Sequence, residues 1–120
     1  MKNTVGLVCR KSSKAEEDAE VIKLMKNAGA ILLCITNMSE LGLWIETSNC
    51  LHGKTRNPYD IRRISGGGGE ACLISSCGSL IGLGVDFNGI LRLSASFNGI
   101  FAHKPTNGKP LRVLFFKDIL

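Results

Sequence analysis

The chain has 120 residues, which suits one modest domain or a piece of a larger one. Its 44% hydrophobic content argues against a chain that is disordered throughout. The formal net charge of +5 comes from basic residues scattered along the chain. Even the densest basic group, at residues 54–63, has no aromatic stacking pattern beside it. A solvated loop is therefore favoured over a nucleic-acid patch, and no nucleic-acid partner is expected.

The five cysteines form an odd set without the spacing of a zinc site or a redox pair. Cys34 and Cys72 lie in apolar runs, where a free thiol acts as a small buried hydrophobe. A reduced, intracellular setting is the simplest interpretation, since no signal peptide opens the chain and no apolar run approaches the ~20 residues of a membrane span. His52 and His103 lack partners at metal-ligand spacing, so neither a metal nor a cofactor is expected.

The first predicted element is a helix over residues 14–28. Ser13-Lys14-Ala15-Glu16 fits a capping box, apolar residues recur behind it at helical spacing, and Gly29 supplies a stop. Residues 30–36 follow as a continuous apolar run, typical of a parallel strand buried on both faces. A helix followed after one glycine by such a strand predicts an α/β fold.

The rest of the chain predicts shorter elements. Residues 47–63 are polar and contain Asn57-Pro58, which indicates a long surface connection. Trp44, the single tryptophan, is predicted to be a packing residue. The predicted helices are residues 70–77 and 89–97, and the predicted strands are residues 80–85, 99–103 and 111–116. The last of these strands is expected to present an exposed edge.

A glycine run at Gly66, Gly67, Gly68 and Gly69 permits a nucleotide-binding interpretation. Gly66-x-Gly68-x-x-Ala71 fits the alanine form of the dinucleotide fingerprint, and Asp86 lies near the offset of a ribose-binding acid. That fingerprint needs an apolar strand directly before its first glycine, whereas residues 60–65 are charged and end a polar loop. A nucleotide-binding module is therefore the less favoured alternative.

Five segments carry a more specific pattern. They are Thr36-Asn37-Met38-Ser39-Glu40, Asn57-Pro58-Tyr59-Asp60, residues 66–71, residues 82–92 and residues 97–106. In their order and spacing they resemble the amidase signature family, and within it the fatty-acid amide hydrolases of the second type. The resemblance implies a partial amidase-signature fold over residues 1–106, with a fragment of a mixed sheet flanked by helices, and a divergent C-terminal tail over residues 107–120. It also implies that intact relatives hydrolyse fatty-acid amides.

The same resemblance implies where a catalytic triad would lie. Family members use a lysine base, a relay serine on a cis peptide bond and a nucleophilic serine. The nucleophile position is Ile90, whose hydrocarbon side chain cannot attack a carbonyl carbon. The relay serine belongs to a Gly-Gly-Ser-Ser-Gly-Gly segment, and the glycine run is two residues short of it. Ser65 matches a nonpolar family position, and the lysine would lie upstream, in a segment that this chain lacks.

The resemblance leaves a remnant of the oxyanion loop at Phe87, Asn88 and Gly89, which Asp86 and Arg92 are expected to support by pairing. The sequence therefore predicts a truncated, catalytically inactive homologue of a fatty-acid amide hydrolase, with fatty-acid amides as substrates only in intact relatives. The alternative is a non-enzymatic module that pairs with a full-length amidase through exposed strand edges. Because a complete amidase domain is several times longer, marginal stability or dependence on another chain is also expected.

Overall fold

Short helices and strands make up the computed structural model, which describes residues 1–106 and 114–116. The helices are α1 (Glu20–Asn27), α2 (Gly69–Ser75) and α3 (Ile90–Phe97), with 3-10 turns at Val8–Arg10 and Glu40–Gly42. The strands are β1 (Ser48–Asn49), β2 (Gly53–Lys54), β3 (Ile81–Leu83), β4 (Phe101–His103) and β5 (Leu114–Phe116). Among the described residues, no helix is long and apolar enough to cross a bilayer.

The larger sheet has three antiparallel strands in the order β3-β5-β4. Phe116 of β5 is opposite both Ile81 of β3 and Phe101 of β4. The predicted exposed edge is therefore wrong for residues 114–116, because both edges of β5 are paired. Residues 111–113 of that predicted strand lie outside the described residues, and the divergent tail over residues 107–120 stays a prediction.

The hydrophobic core joins α2 to α3. Ala71 and Ile74 lie three residues apart on α2, and Leu91 and Ala95 lie four apart on α3, so each pair shares one helix face. Ile100 joins them from the turn before β4. The predicted helices at 70–77 and 89–97 agree with α2 and α3 to within two residues at either end. Packing of the two helices brings the glycine run at the start of α2 close to α3.

The N-terminal helix is shorter than predicted. The predicted start at residue 14 is wrong, because Ser13 and Ala15 are held in backbone pairing with the first residues of the chain. The Asn3 N–H donates to Ser13 O at 3.0 Å, and Lys2 bridges to Lys14 in antiparallel fashion. Helix α1 begins after Ala19 instead and ends before Gly29, whose φ of +91° matches the predicted stop.

The predicted buried strand over residues 30–36, called here the 30–36 segment, is wrong. The segment has no strand, turn or bend, and Ile31 is 84% exposed. A strand of a parallel sheet needs hydrogen-bonded neighbours and a covered face on each side. Among the described residues, no backbone hydrogen bond joins residues 31–35 to another segment. The apolar run is present, but its partners are not.

Other predictions of burial and exposure fail locally. Trp44 is 63% exposed, because its backbone N–H and C=O are both held by the Ser39 hydroxyl while the ring lies outside. Cys34 is exposed with the 30–36 segment, whereas Cys72 is buried as predicted. The polar stretch over residues 47–63 contains the β1–β2 hairpin and the buried side chains of Asn49 and Asn57, so it is more than a surface connection.

Candidate functional site

The corner between Gly89 and Ile90 begins α3. Gly89 adopts the left-handed conformation, with a φ of +80°, and its carbonyl accepts the Leu93 N–H at 2.9 Å. The next residue, Ile90, starts the helix and is only 6% exposed. Its side chain is therefore enclosed by the protein and does not face solvent, as a residue at a helix start could.

The glycine run is the surface against which Ile90 packs. A Cβ built on Gly67 would lie 2.2 Å from Ile90 Cγ2 and 2.7 Å from the Trp44 carbonyl oxygen. A Cβ on Gly66, whose φ is +86°, would lie 2.5 Å from Ser94 Cα. Both distances are well below van der Waals contact, so only glycine fits at either position. The isoleucine hydrocarbon thus occupies the space next to the run.

The hydroxyl groups around the run bind backbone atoms. Ser94 is fully buried, donates to the Ile90 carbonyl at 2.9 Å and accepts the Gly68 N–H at 3.2 Å. Thr47 donates to Gly66 O at 2.5 Å, and Ser65 donates to Thr55 O at 3.0 Å. These contacts fasten the glycine run to α3 and to the neighbouring loop. None of the three hydroxyls hydrogen-bonds to a lysine among the described residues.

A buried polar network beneath the run was missed by sequence reasoning. Asn98, also fully buried, donates from Nδ2 to Ser65 O at 2.7 Å and to Ser94 O at 2.8 Å. The Cys72 thiol lies 3.4 Å from Asn98 Oδ1, and burial raises the pKa of that thiol. The one available signal was an asparagine before Gly99 at a predicted helix end, which indicates only a cap.

The segment with Asn37 and Ser39 anchors the run from the other side. The Gly69 N–H donates to Asn37 O at 2.9 Å, and Met38 bridges to Gly68. The Asn37 side chain joins the β1–β2 hairpin by donating to the Gly53 carbonyl and the Thr55 hydroxyl and by accepting from Asn49 at 2.6 Å. In this structure the segment therefore has a positioning role.

The predicted oxyanion loop lies on the surface side of the corner. Phe87 and Asn88 are exposed, and Gly89 is half-buried. Just before them, Asp86 Oδ2 accepts the Arg92 Nε–H at 2.6 Å. The Asp86 side chain is buried and its Oδ1 has no hydrogen-bond partner, whereas Arg92 is half exposed. This pair clamps the loop to the first turn of α3.

Breaking the clamp from the arginine side is expected to cost more than neutralising the aspartate. Arg92→Leu would leave a buried carboxylate unpaired and should lower the free energy of unfolding by about 1–3 kcal/mol. Asp86→Asn removes the charge and should cost less. Urea unfolding of both variants measures the difference. Equal losses, or a larger loss for Asp86→Asn, would contradict a structural role for the pair.

Glu70, in the first turn of α2, is the other perturbed acid near the run. Burial raises the pKa of its carboxyl, and hydrogen bonds from its own backbone N–H and from the Thr36 hydroxyl partly offset that rise. The Thr36 hydroxyl is itself buried and has no other hydrogen bond. A carboxyl with a raised pKa destabilises the fold when it is charged.

The pH dependence of stability should reveal this acid. Because its folded pKa lies above its unfolded value of about 4.3, Glu70 stabilises the fold below that value, and the stabilisation is lost as the pH rises through the folded pKa. Glu70→Gln should therefore be more stable than the unmodified chain at pH 7, and the difference should shrink at pH 4. Thermal unfolding at both pH values checks the trend. A difference that stayed constant with pH would refute it.

No group of three or more His, Cys, Asp or Glu side chains lies together within the described residues. His52 is in the turn between β1 and β2, and His103 ends β4. The five cysteines are free thiols.

Comparison with known proteins identifies the family. The profile of the family described as Amidase matches residues 1–110. The chain belongs to the amidase family. Fatty-acid amide hydrolase 2 of Homo sapiens is 50% identical over 110 residues, which are 90% of this chain and 21% of that protein. Fatty-acid amide hydrolase 2-A of Danio rerio is 47% identical over the same shares. The chain thus spans about a fifth of the length of these relatives.

Solved amidase-family structures confirm the fold class. The structure of 6-aminohexanoate cyclic dimer hydrolase complexed with substrate matches 98% of this chain with a TM-score of 0.90 and 28% identity, over 28% of its own length. A glutamyl-tRNA(Gln) amidotransferase structure from Thermotoga maritima matches 97% of the chain with a TM-score of 0.86 and 25% identity, over 29% of its length. The predicted α/β fragment of an amidase-signature fold is confirmed.

Proposed function

We propose that this amidase-family chain does not hydrolyse amides at the Gly89-Ile90 corner. The single observation that supports this is the burial of Ile90 against Gly67, which puts a saturated hydrocarbon where the family resemblance locates a nucleophilic oxygen. Hydrolysis through an acyl-enzyme needs an oxygen or sulfur nucleophile within reach of a base. In serine hydrolases, loss of the nucleophile alone lowers turnover on the order of a millionfold.

The neighbouring hydroxyls do not replace it. Ser94, Thr47 and Ser65 are buried, and each donates to a backbone carbonyl of the described residues. A serine with its proton committed to a carbonyl and no base beside it has ordinary, weak nucleophilicity. The glycine run has the same limitation, because four glycines offer no side-chain hydroxyl to relay a proton.

The test is a hydrolysis assay on a long-chain fatty-acid primary amide, the substrate class that the names of the human and zebrafish relatives indicate for those proteins. The human fatty-acid amide hydrolase 2 serves as the active control. Release of ammonia by this chain should equal the rate without protein. A rate that exceeds this background and scales with the concentration of the chain would refute the proposal.

A second role is supported by a separate observation. The 30–36 segment is apolar, exposed and without a backbone partner among the described residues, so it can pair with a strand of a full-length amidase. Co-purification of the tagged chain with human fatty-acid amide hydrolase 2 should show the complex. A chain that elutes alone at micromolar concentrations of both proteins would count against it.

A further inference from the structure

An apolar groove of about 480 Å³ lies between the 30–36 segment and β3. Hydrocarbon side chains of α1 and α2 also line it, among them Ile22, Met25, Leu73 and Ile74. Polar groups are sparse and include Lys26, Thr36 and Glu70. A groove of this kind excludes charged ligands and favours an aliphatic occupant.

Both sides of the groove offer unpaired backbone. Strand β3 pairs with β5 along one edge, and nothing among the described residues pairs with its other edge. Residues 31–35 make no backbone hydrogen bond to another described segment. Covering this surface with an acyl chain would bury N–H and C=O groups without partners, at a cost of about 1–3 kcal/mol for each group. A polypeptide strand avoids that cost, because it pairs with them.

The strand with suitable chemistry is the 30–36 segment of another copy. Leu33 and Ile35, like Ile31, are more than half exposed, and residues 30–36 contain no charge and no proline. Such a segment lacks the features that keep exposed edges from pairing between chains. It also runs without a turn or bend, so a second chain can align along it.

We propose that two copies of this chain pair through their 30–36 segments, each entering the groove of the other. The joint sheet then runs from β3 of one copy to the 30–36 segment of its partner, then to the first copy's own 30–36 segment, and finally to β3 of the partner. One two-fold axis relates the halves, so both grooves are filled and assembly stops at two copies.

The size and charge of the groove agree with this occupant. A residue in a sheet occupies roughly 160 Å³, from a rise of ~3.3 Å, a strand spacing of ~4.8 Å and a layer of ~10 Å, so the groove holds roughly three residues. Strand β3 has three residues. Lys26 already pairs with Asp18 at 2.6 Å, and burial raises the pKa of Glu70, which lowers its charge. No like charge on the incoming segment opposes entry.

Light scattering of the eluting chain at micromolar concentrations tests the proposal. The expected mass is about twice the 12.9 kDa of the chain. Ile31→Lys should weaken self-association by at least about tenfold, because it puts a charge in the joint sheet. Ile61→Lys is the matched control. Ile61 is 67% exposed, does not line the groove and gains the same charge, so this variant should stay dimeric.

Amide hydrogen exchange gives an independent measure. Exchange at residues 31–35 should slow as the unmodified chain becomes dimeric, and it should stay fast in Ile31→Lys. A monomer throughout, open-ended aggregation, or loss of the dimer in both lysine variants would overturn the proposal. It is independent of the proposed inactivity. A monomer that still co-purifies with the full-length hydrolase would refute self-pairing and leave the pairing role standing.

Discussion

Replacing Gly66 by alanine is expected to lower the free energy of unfolding by about 2–4 kcal/mol. Two costs add: the left-handed backbone costs a Cβ-bearing residue about 1–2 kcal/mol, and overpacking costs about 1–3 kcal/mol. The overpacking arises because the new methyl group would lie 2.5 Å from Ser94 Cα, a backbone atom that cannot move without shifting α3. Urea unfolding measures the change.

Gly29→Ala is the matched control. Gly29 has a φ of +91°, close to the +86° of Gly66, but a Cβ there would meet nothing within 4 Å. This variant should show only the backbone cost of about 1–2 kcal/mol. If the two variants lost equal stability, the close contact between the glycine run and α3 would be wrong.

Restoring a serine at position 90 is expected to give no enzyme. Ile90→Ser should lower the free energy of unfolding by about 2–4 kcal/mol, because it removes a buried side chain that packs against Gly67 and leaves a cavity. Hydrolysis of a fatty-acid primary amide should stay at background, since a serine without a relay and a base is not activated. The assay is run under conditions in which circular dichroism shows that the variant is folded.

A second variant separates lost packing from missing chemistry. Ile90→Val keeps most of the hydrocarbon and should cost only about 0.5–1.5 kcal/mol. Its hydrolysis should also stay at background. Amide hydrolysis by folded Ile90→Ser that is absent from Ile90→Val would show that the surrounding residues can activate a nucleophile, and the account of this corner would then be wrong.

The sequence predicts those parts of the fold that depend on local pattern. Helices α2 and α3 are found nearly at their predicted bounds, because the glycine run and Gly89 mark their starts and the apolar residues behind them recur at helical spacing. The pairing of Asp86 with Arg92 follows from their six-residue separation across the corner and from the family resemblance. The position of Ile90 at the start of α3 follows in the same way.

The remainder depends on contacts that no local pattern specifies. Whether residues 30–36 form a buried strand depends on neighbours elsewhere in the chain or in another chain, and apolar composition alone does not supply them. The first helix begins late because the N-terminal residues pair with Ser13, a long-range event hidden from a capping-box pattern. The roles of Ser94 and Asn98 arise only when α3 packs on the glycine run.

The most direct test of the central claim is labelling by a fluorophosphonate probe, which reacts with activated serines. The folded, unmodified chain and human fatty-acid amide hydrolase 2 are treated in parallel, and the modified peptides are mapped by mass spectrometry. The account predicts labelling of the human protein and none at any serine of this chain. Stoichiometric labelling at Ser94, Ser65 or another serine would show that an activated nucleophile exists in spite of Ile90, and would contradict it.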